Sequence, residues 1–277
     1  MVRRQGRAGF GWADFDGDGR DDHLLLNPNG AVFVYLNRGG DGHGGWENLG
    51  QVAVGLTTDR TRVRFADFDG DGRADYNIVN DDGSMSTWLN RGGDFSRGWV
   101  ALMGVAGGTG FGSGPCIRLA DMNGDGRADY NVINDNGSIT THINNGGDNH
   151  GGWANYGQTA RGLTTDQNAV TLTDVTGEGM ADYLVTNTDN SVHAYSNNGG
   201  DGHGGWNDMG HHRHRRLTRS LPASTLEPST APPVGGMPLQ PRRHDQPLRQ
   251  LRRICPWRPN GQGQPPPVLS PDPEGPA

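Results

Sequence analysis

The chain contains no lysine, so all 24 of its basic residues other than histidine are arginine. Apolar residues make up only 32% of it and no run of about 18 of them occurs, which excludes a membrane-spanning helix. The two cysteines, Cys116 and Cys255, lack the spacing of a metal knuckle or a disulfide framework. H-E-x-x-H, P-loop and dinucleotide-binding patterns are absent. Ser113 stands in F-G-S-G-P, which fails the G-x-S-x-G elbow because Phe111 holds the first place. These absences remove the familiar catalytic sets and favour a non-enzymatic chain. The N-terminus, MVRRQGRAGF, has the basic start of a signal peptide without its apolar core.

Glycine is what the chain has in excess, at 47 of 277 residues. Abundant glycine with few apolar runs points to an all-β chain with many turns. The formal charge of −7 hides two unlike parts. Residues 1–210 carry 14 Arg against 27 acids, a net of −13, and residues 211–277 carry 10 Arg against 4 acids, a net of +6. The acidic part would repel phosphates, so nucleic acid is not an expected partner. The segment 211–277 also holds 15 of the 17 prolines. It is expected to be a disordered tail, because it has too little apolar surface to offset its ordering entropy. Its abrupt start at HHRHRR suggests a mis-spliced or frame-shifted end.

Internal repetition is the dominant signal. Asp14, Asp67, Asp121 and Asp174 recur at intervals of 53, 54 and 53 residues. Thirteen places after each stands Asn27, Asn80, Asn134 or Asn187, and 23 places after stands Asn37, Asn90, Asn144 or Asn197. Asp41, Asp94, Asp148 and Asp201 follow at +27, and Trp46, Trp99, Trp153 and Trp206 at +32. The copies start near 9, 62, 116 and 169. In the second copy, strands are expected at 63–68, 76–79, 84–90 and 99–105, with Asp82-Gly83 supplying the positive φ of a tight hairpin. Four strands in about 50 residues is the size of one propeller blade. The expected fold is therefore an all-β propeller over residues 1–210, with four four-stranded blades forming part of a larger ring.

Each copy opens with an acidic loop, best seen as D-F-D-G-D-G-R-A-D at 67–75. Counting from its first acid, Asp14, Asp16 and Asp18 hold positions 1, 3 and 5 of the first copy, and Asp22 holds position 9. The second copy has Asp67, Asp69, Asp71 and Asp75, and the third Asp121, Asn123, Asp125 and Asp129. Such closely spaced acids repel one another unless a cation sits among them. Alternating oxygen ligands around a sharp glycine turn follow the logic of a calcium loop. The carbonyls of Arg20, Arg73 and Arg127 at position 7 would contribute while their guanidiniums point to water. The fourth copy, with Asp174, Glu178 and Asp182 around Thr176, is expected to bind weakly. Two or three Ca²⁺ ions are thus expected, with Asx-turns as the purely structural alternative.

The phrase A-D-F-D-G-D-G-R-A-D-Y at 66–76 resembles the FG-GAP/VCBS repeats, the calcium-binding blades of integrin-α-like β-propellers. Phe111-Gly112 with Gly114-Pro115 resembles the phrase that names that family. The resemblance covers about residues 9–210 and implies calcium in loops on one rim, with the carboxylates above as ligands. It also implies an extracellular module that binds a glycan or a protein. An accessory repeat domain of a secreted SGNH-type esterase is the alternative by family analogy. The four tryptophans at +32 are candidate sugar platforms or inter-blade packing, and Asp41 with His43 is a candidate second metal pair.

Overall fold

The computed structural model describes residues 9–94, 96–107 and 111–212. It contains four antiparallel sheets of four strands, each a simple meander. The first blade comprises β1 (Phe10–Ala13), β2 (Asp22–Leu26), β3 (Val32–Gly40) and β4 (Gly45–Ala53). The second comprises β5 (Val63–Ala66), β6 (Asp75–Val79), β7 (Met85–Gly93) and β8 (Gly98–Ala106). β9 (Ile117–Ala120), β10 (Asp129–Ile133), β11 (Ile139–Gly147) and β12 (Gly152–Ala160) make the third. β13 (Val170–Thr173), β14 (Asp182–Thr186), β15 (Val192–Gly200) and β16 (Gly205–His212) make the fourth. β16 takes in the first two residues of the segment that the sequence assigns to the tail. Residues 213–277 lie outside the described part.

The blades form a propeller arrangement around an axial cavity of about 290 Å³, lined by the innermost strands β1, β5, β9 and β13. The core lies between blades. Phe15, Leu24, Val34 and Val52 of the first blade pack with Val63, Ala74 and Tyr76 of the second. Phe68, Met85 and Val105 meet Ile117, Leu119 and Tyr130 at the next joint, and Met122, Ile133 and Ile139 meet Val170, Leu172 and Tyr183 at the third. Strand alternation gives each sheet two apolar faces, so a blade needs a neighbour on both sides.

The same hydrogen bonds recur at each joint. Trp99, Trp153 and Trp206 donate Nε1–H to the carbonyls of Val52, Val105 and Thr159 in the preceding blade, at 3.0, 2.8 and 2.8 Å. The Tyr76, Tyr130 and Tyr183 hydroxyls donate to Gly30, Gly83 and Gly137 of the preceding hairpin. Asn90, Asn144 and Asn197 donate Nδ2–H to Phe15, Phe68 and Met122. Among the described residues, the side of the first blade facing away from the second has no such partner, and there Phe10, Leu25 and Trp46 are 52%, 37% and 38% exposed. Their counterparts Val63, Ile117 and Val170 at the Phe10 position are all 5% exposed or less.

Cys116 is buried and disulfide-bonded.

Candidate metal centre

The acidic loop joins the first two strands of each blade, and its backbone is shaped by residues other than most of the candidate ligands. At position 1, Asp67 accepts the Gly70 N–H at 2.8 Å and the Gly72 N–H at 2.7 Å. Asp14, Asp121 and Asp174 do the same for the glycines of their loops. Gly70 and Gly72 have φ of 78° and 86°, in the left-handed region that a Cβ disfavours. At position 9, Asp75 is fully buried and accepts from Phe68 N–H at 2.8 Å and Asn90 N–H at 2.7 Å. Asp22, Asp129 and Asp182 make the matching pairs of bonds. These aspartates clamp the loop onto the third strand of the blade.

Two loops bring three carboxylates together. Oxygens of Asp14, Asp16 and Asp18 lie within 4.8 Å of one another, as do those of Asp67, Asp69 and Asp71. Asp16 Oδ1 and Asp69 Oδ1 are buried without a hydrogen-bond partner. A buried carboxylate oxygen with no donor is costly, and a hard divalent cation is the partner that such an all-oxygen set suits. The residues present therefore fit a calcium ion, which would be held by Asp14, Asp16 and Asp18 in one loop and Asp67, Asp69 and Asp71 in the next. Bound there, it would neutralise the clustered charge and tie positions 1, 3 and 5 to one point.

The third and fourth loops differ. Asn123 turns its amide to Asp125 Oδ2 at 3.0 Å. Thr176 directs its Oγ1 towards Asp182 Oδ2 at 3.3 Å and Asp174 Oδ1 at 3.4 Å, and Glu178 is exposed. Among the described residues neither loop assembles three acidic ligands, and Asp41 with His43 belongs to no such group.

Burial and like charge act on the position 1 and position 9 carboxyls. Burial pushes Asp75 up to about 8, with Asp69 and Asp67 adding to it against the bonds from Asn90 and Phe68. Burial likewise raises Asp129 to about 7 and Asp67 to about 6, and it raises Asp22.

Two further residues at these loops escape a reading by repeat positions. Arg38 reaches back from β3, placing Nη1 2.8 Å from Asp16 Oδ2 and 3.1 Å from Asp18 Oδ2. Arg91 does the same from β7, with Nη2 2.5 Å from Asp69 Oδ2 and Nη1 on Asp71. Both stand at +24, where the other copies have Asn145 and Asn198, so the position looks variable. The available signal is that arginine coincides with aspartate at position 3.

Two of the position 7 arginines, Arg73 and Arg127, do not simply point to water, whereas Arg20 is exposed. A Cβ on Gly17 would lie 3.2 Å from Arg73 Cγ, and one on Gly70 would lie 3.0 Å from Arg127 Cγ. Each stem therefore crosses the preceding loop. Ala74 N–H also donates to Asp14 O at 2.6 Å, Ala128 N–H to Asp67 O at 2.7 Å and Ala181 N–H to Asp121 O at 2.6 Å. The loops are thus part of the joints and ring one mouth of the axial cavity. The structure places Trp99, Trp153 and Trp206 in the joints and leaves Trp46 exposed beside Trp12, their ring centroids 5.9 Å apart.

Residues 14–77 match the model of the FG-GAP-like repeat family. No curated protein matches the chain. Among solved structures it is similar to a lectin of Agrocybe aegerita that recognises non-reducing terminal N-acetylglucosamine. That similarity is at 20% identity and a TM-score of 0.46, over 74% of this chain and 53% of that one. It is also similar to the Photorhabdus luminescens Tc holotoxin pore, at 18% identity and a TM-score of 0.43, over 75% of this chain and 10% of that one. The chain therefore spans about half the length of the first and a tenth of the second.

Proposed function

From the premise of an FG-GAP-like repeat at residues 14–77, we propose that this chain is a calcium-stabilised, non-catalytic β-propeller module that binds a glycan or a protein outside cells. One observation carries the calcium reading: two loops each gather three carboxylates, and each leaves one buried oxygen without a donor. Calcium at these loops would act on stability first, because each loop is bonded to the next blade through its position 1 carbonyl. Filling the first two loops would therefore brace the first two joints. The extracellular setting follows from the same chemistry, since loosely caged oxygen sites fill at the roughly 10⁻³ M calcium found outside cells. Among the described residues no helix is long and apolar enough to cross a membrane.

The test has two stages. Thermal melts of the chain in EGTA, with calcium and with magnesium should show a rise in midpoint with calcium that magnesium does not reproduce. A glycan array and an extracellular-protein pull-down, each run with and without calcium, should then return binding to the loaded form only. Equal melts in all three conditions would remove the calcium reading, and partners indifferent to calcium would separate binding from the loops.

A further inference from the structure

We propose that Arg38 and Arg91 are built-in counter-cations of the first two loops, each offsetting the third acid, so that positions 1, 3 and 5 taken with the +24 residue carry the same charge in all four loops. This rests on the calcium reading above and deepens it. Positions 1, 3 and 5 of the first loop are Asp14, Asp16 and Asp18, and Arg38, which also bonds Glu47 outside the loop at 3.0 Å, brings the sum of these three from −3 to −2. Asp67, Asp69, Asp71 and Arg91 give the same −2. In the third copy Asp121, Asn123 and Asp125 already sum to −2, and the +24 residue is the neutral Asn145. In the fourth, Asp174, Thr176 and Glu178 also sum to −2, beside Asn198. The third acid and the arginine occur together or not at all.

The geometry lets arginine and metal act at once. Arg38 binds the Oδ2 atoms of Asp16 and Asp18, while Asp16 Oδ1 is left buried and without a donor. Arg91 binds Asp69 Oδ2, and Asp69 Oδ1 is left in the same state. The guanidinium thus takes one oxygen of Asp16 or Asp69 and leaves the other for a cation, whereas Asp18 and Asp71 accept the Arg20 and Arg73 N–H groups on their second oxygens. Two consequences follow. Without metal, the arginine keeps three acids from repelling one another. With metal, it lowers the attraction that the extra acid would add, because affinity in oxygen sites follows ligand charge count.

Arg91→Gln, Arg91→Lys and Arg161→Gln versions of the full chain test this, the last removing an exposed arginine away from the acidic loops. By calorimetric titration with calcium alone, Arg91→Gln should tighten one site about tenfold, the effect of removing a unit charge beside a divalent ion. Arg91→Lys and Arg161→Gln should leave affinities within about twofold of the parent. Unchanged or weaker binding in Arg91→Gln overturns the inference, as does Arg91→Lys behaving like Arg91→Gln.

A metal-free arm separates this outcome from failure of the calcium reading. In EGTA at low salt, Arg91→Gln should melt below both the parent and Arg91→Lys, and the gap should close in about 1 M salt, where a Debye length of about 3 Å screens the acids. A chain that binds no calcium yet shows this gap keeps the counter-cation role and loses the calcium reading. Equal metal-free melts overturn the inference whatever calcium does.

Discussion

The second and fourth loops have one backbone and two chemistries. In both, the position 1 aspartate holds two glycine N–H groups, at 2.8 and 2.7 Å for Asp67 and 2.6 and 2.9 Å for Asp174. In both, the two glycines have positive φ, 78° and 86° against 81° and 91°. Asp75 and Asp182 anchor them alike to the third strand. Positions 3 and 5 and the +24 residue differ, as Asp69, Asp71 and Arg91 against Thr176, Glu178 and Asn198, and so do positions 2 and 7, as Phe68 and Arg73 against Val175 and Met180. The turn is therefore built by positions 1, 4, 6 and 9, and the clustering of three carboxylates is added at 3 and 5. Loop shape and the proposed cation binding are separable by substitution.

The largest effect that would break this comparison comes from position 9. Asp75→Ala leaves two buried backbone N–H groups without their acceptor, and Asp182→Ala leaves three, of which that of Asn197 is buried, each at a cost of about 2–4 kcal/mol in metal-free urea unfolding. Near-equal losses in the two loops would support a clamp that does not depend on metal. A loss confined to Asp75 would tie that residue to the cation set instead.

Calcium should separate what position 9 leaves alike. A site filled to 100 times its dissociation constant adds about 2.7 kcal/mol. Asp69→Asn together with Asp71→Asn should cancel one site's share of the calcium-induced rise in melting temperature, and Glu178→Gln should cancel none. A smaller and equal loss of about 1–2 kcal/mol is expected for Gly72→Ala and Gly179→Ala, since both force a Cβ into the left-handed region.

The pH dependence sharpens the picture in the metal-free state. Asp75, Asp129 and Asp67 titrate near 8, 7 and 6 in the folded chain, against an ordinary value of 3.8. The folded state therefore holds more protons than the unfolded one between those values. Stability in EGTA should fall as pH rises from about 4 to about 8. Saturating calcium, which favours the ionised carboxylates, should flatten that slope in melts at pH 5, 6.5 and 8.

Much of the fold was legible in the sequence because each repeated residue has a joint or a turn to make. Three of the four tryptophans at +32 and three of the four asparagines at +23 bond to carbonyls of the preceding blade. The asparagines at +13 close the hairpin, as Asn80 does on Ser84. Strand limits moved by one to three residues, with β7 running to Gly93 rather than Asn90. The site was less legible. Position 9 has the residue type of a ligand, and only its burial shows that both oxygens already accept backbone N–H groups. Arg38 and Arg91 were hidden for the opposite reason, because they occur in two copies of four and a search for repeated positions discards them. The position 7 stems cross between blades, a contact that no pattern within one repeat can carry.

The most direct measurement is a calcium titration of the intact chain followed by thermal melting, with Asp14, Asp16, Asp67 and Asp69 all changed to Asn in a parallel protein. The account predicts a midpoint that climbs with calcium in the parent and stays flat in the variant, with magnesium moving neither. A parent that melts at the same temperature in EGTA and in millimolar calcium would contradict it, and would reduce the acidic loops to turns held by aspartate and glycine alone.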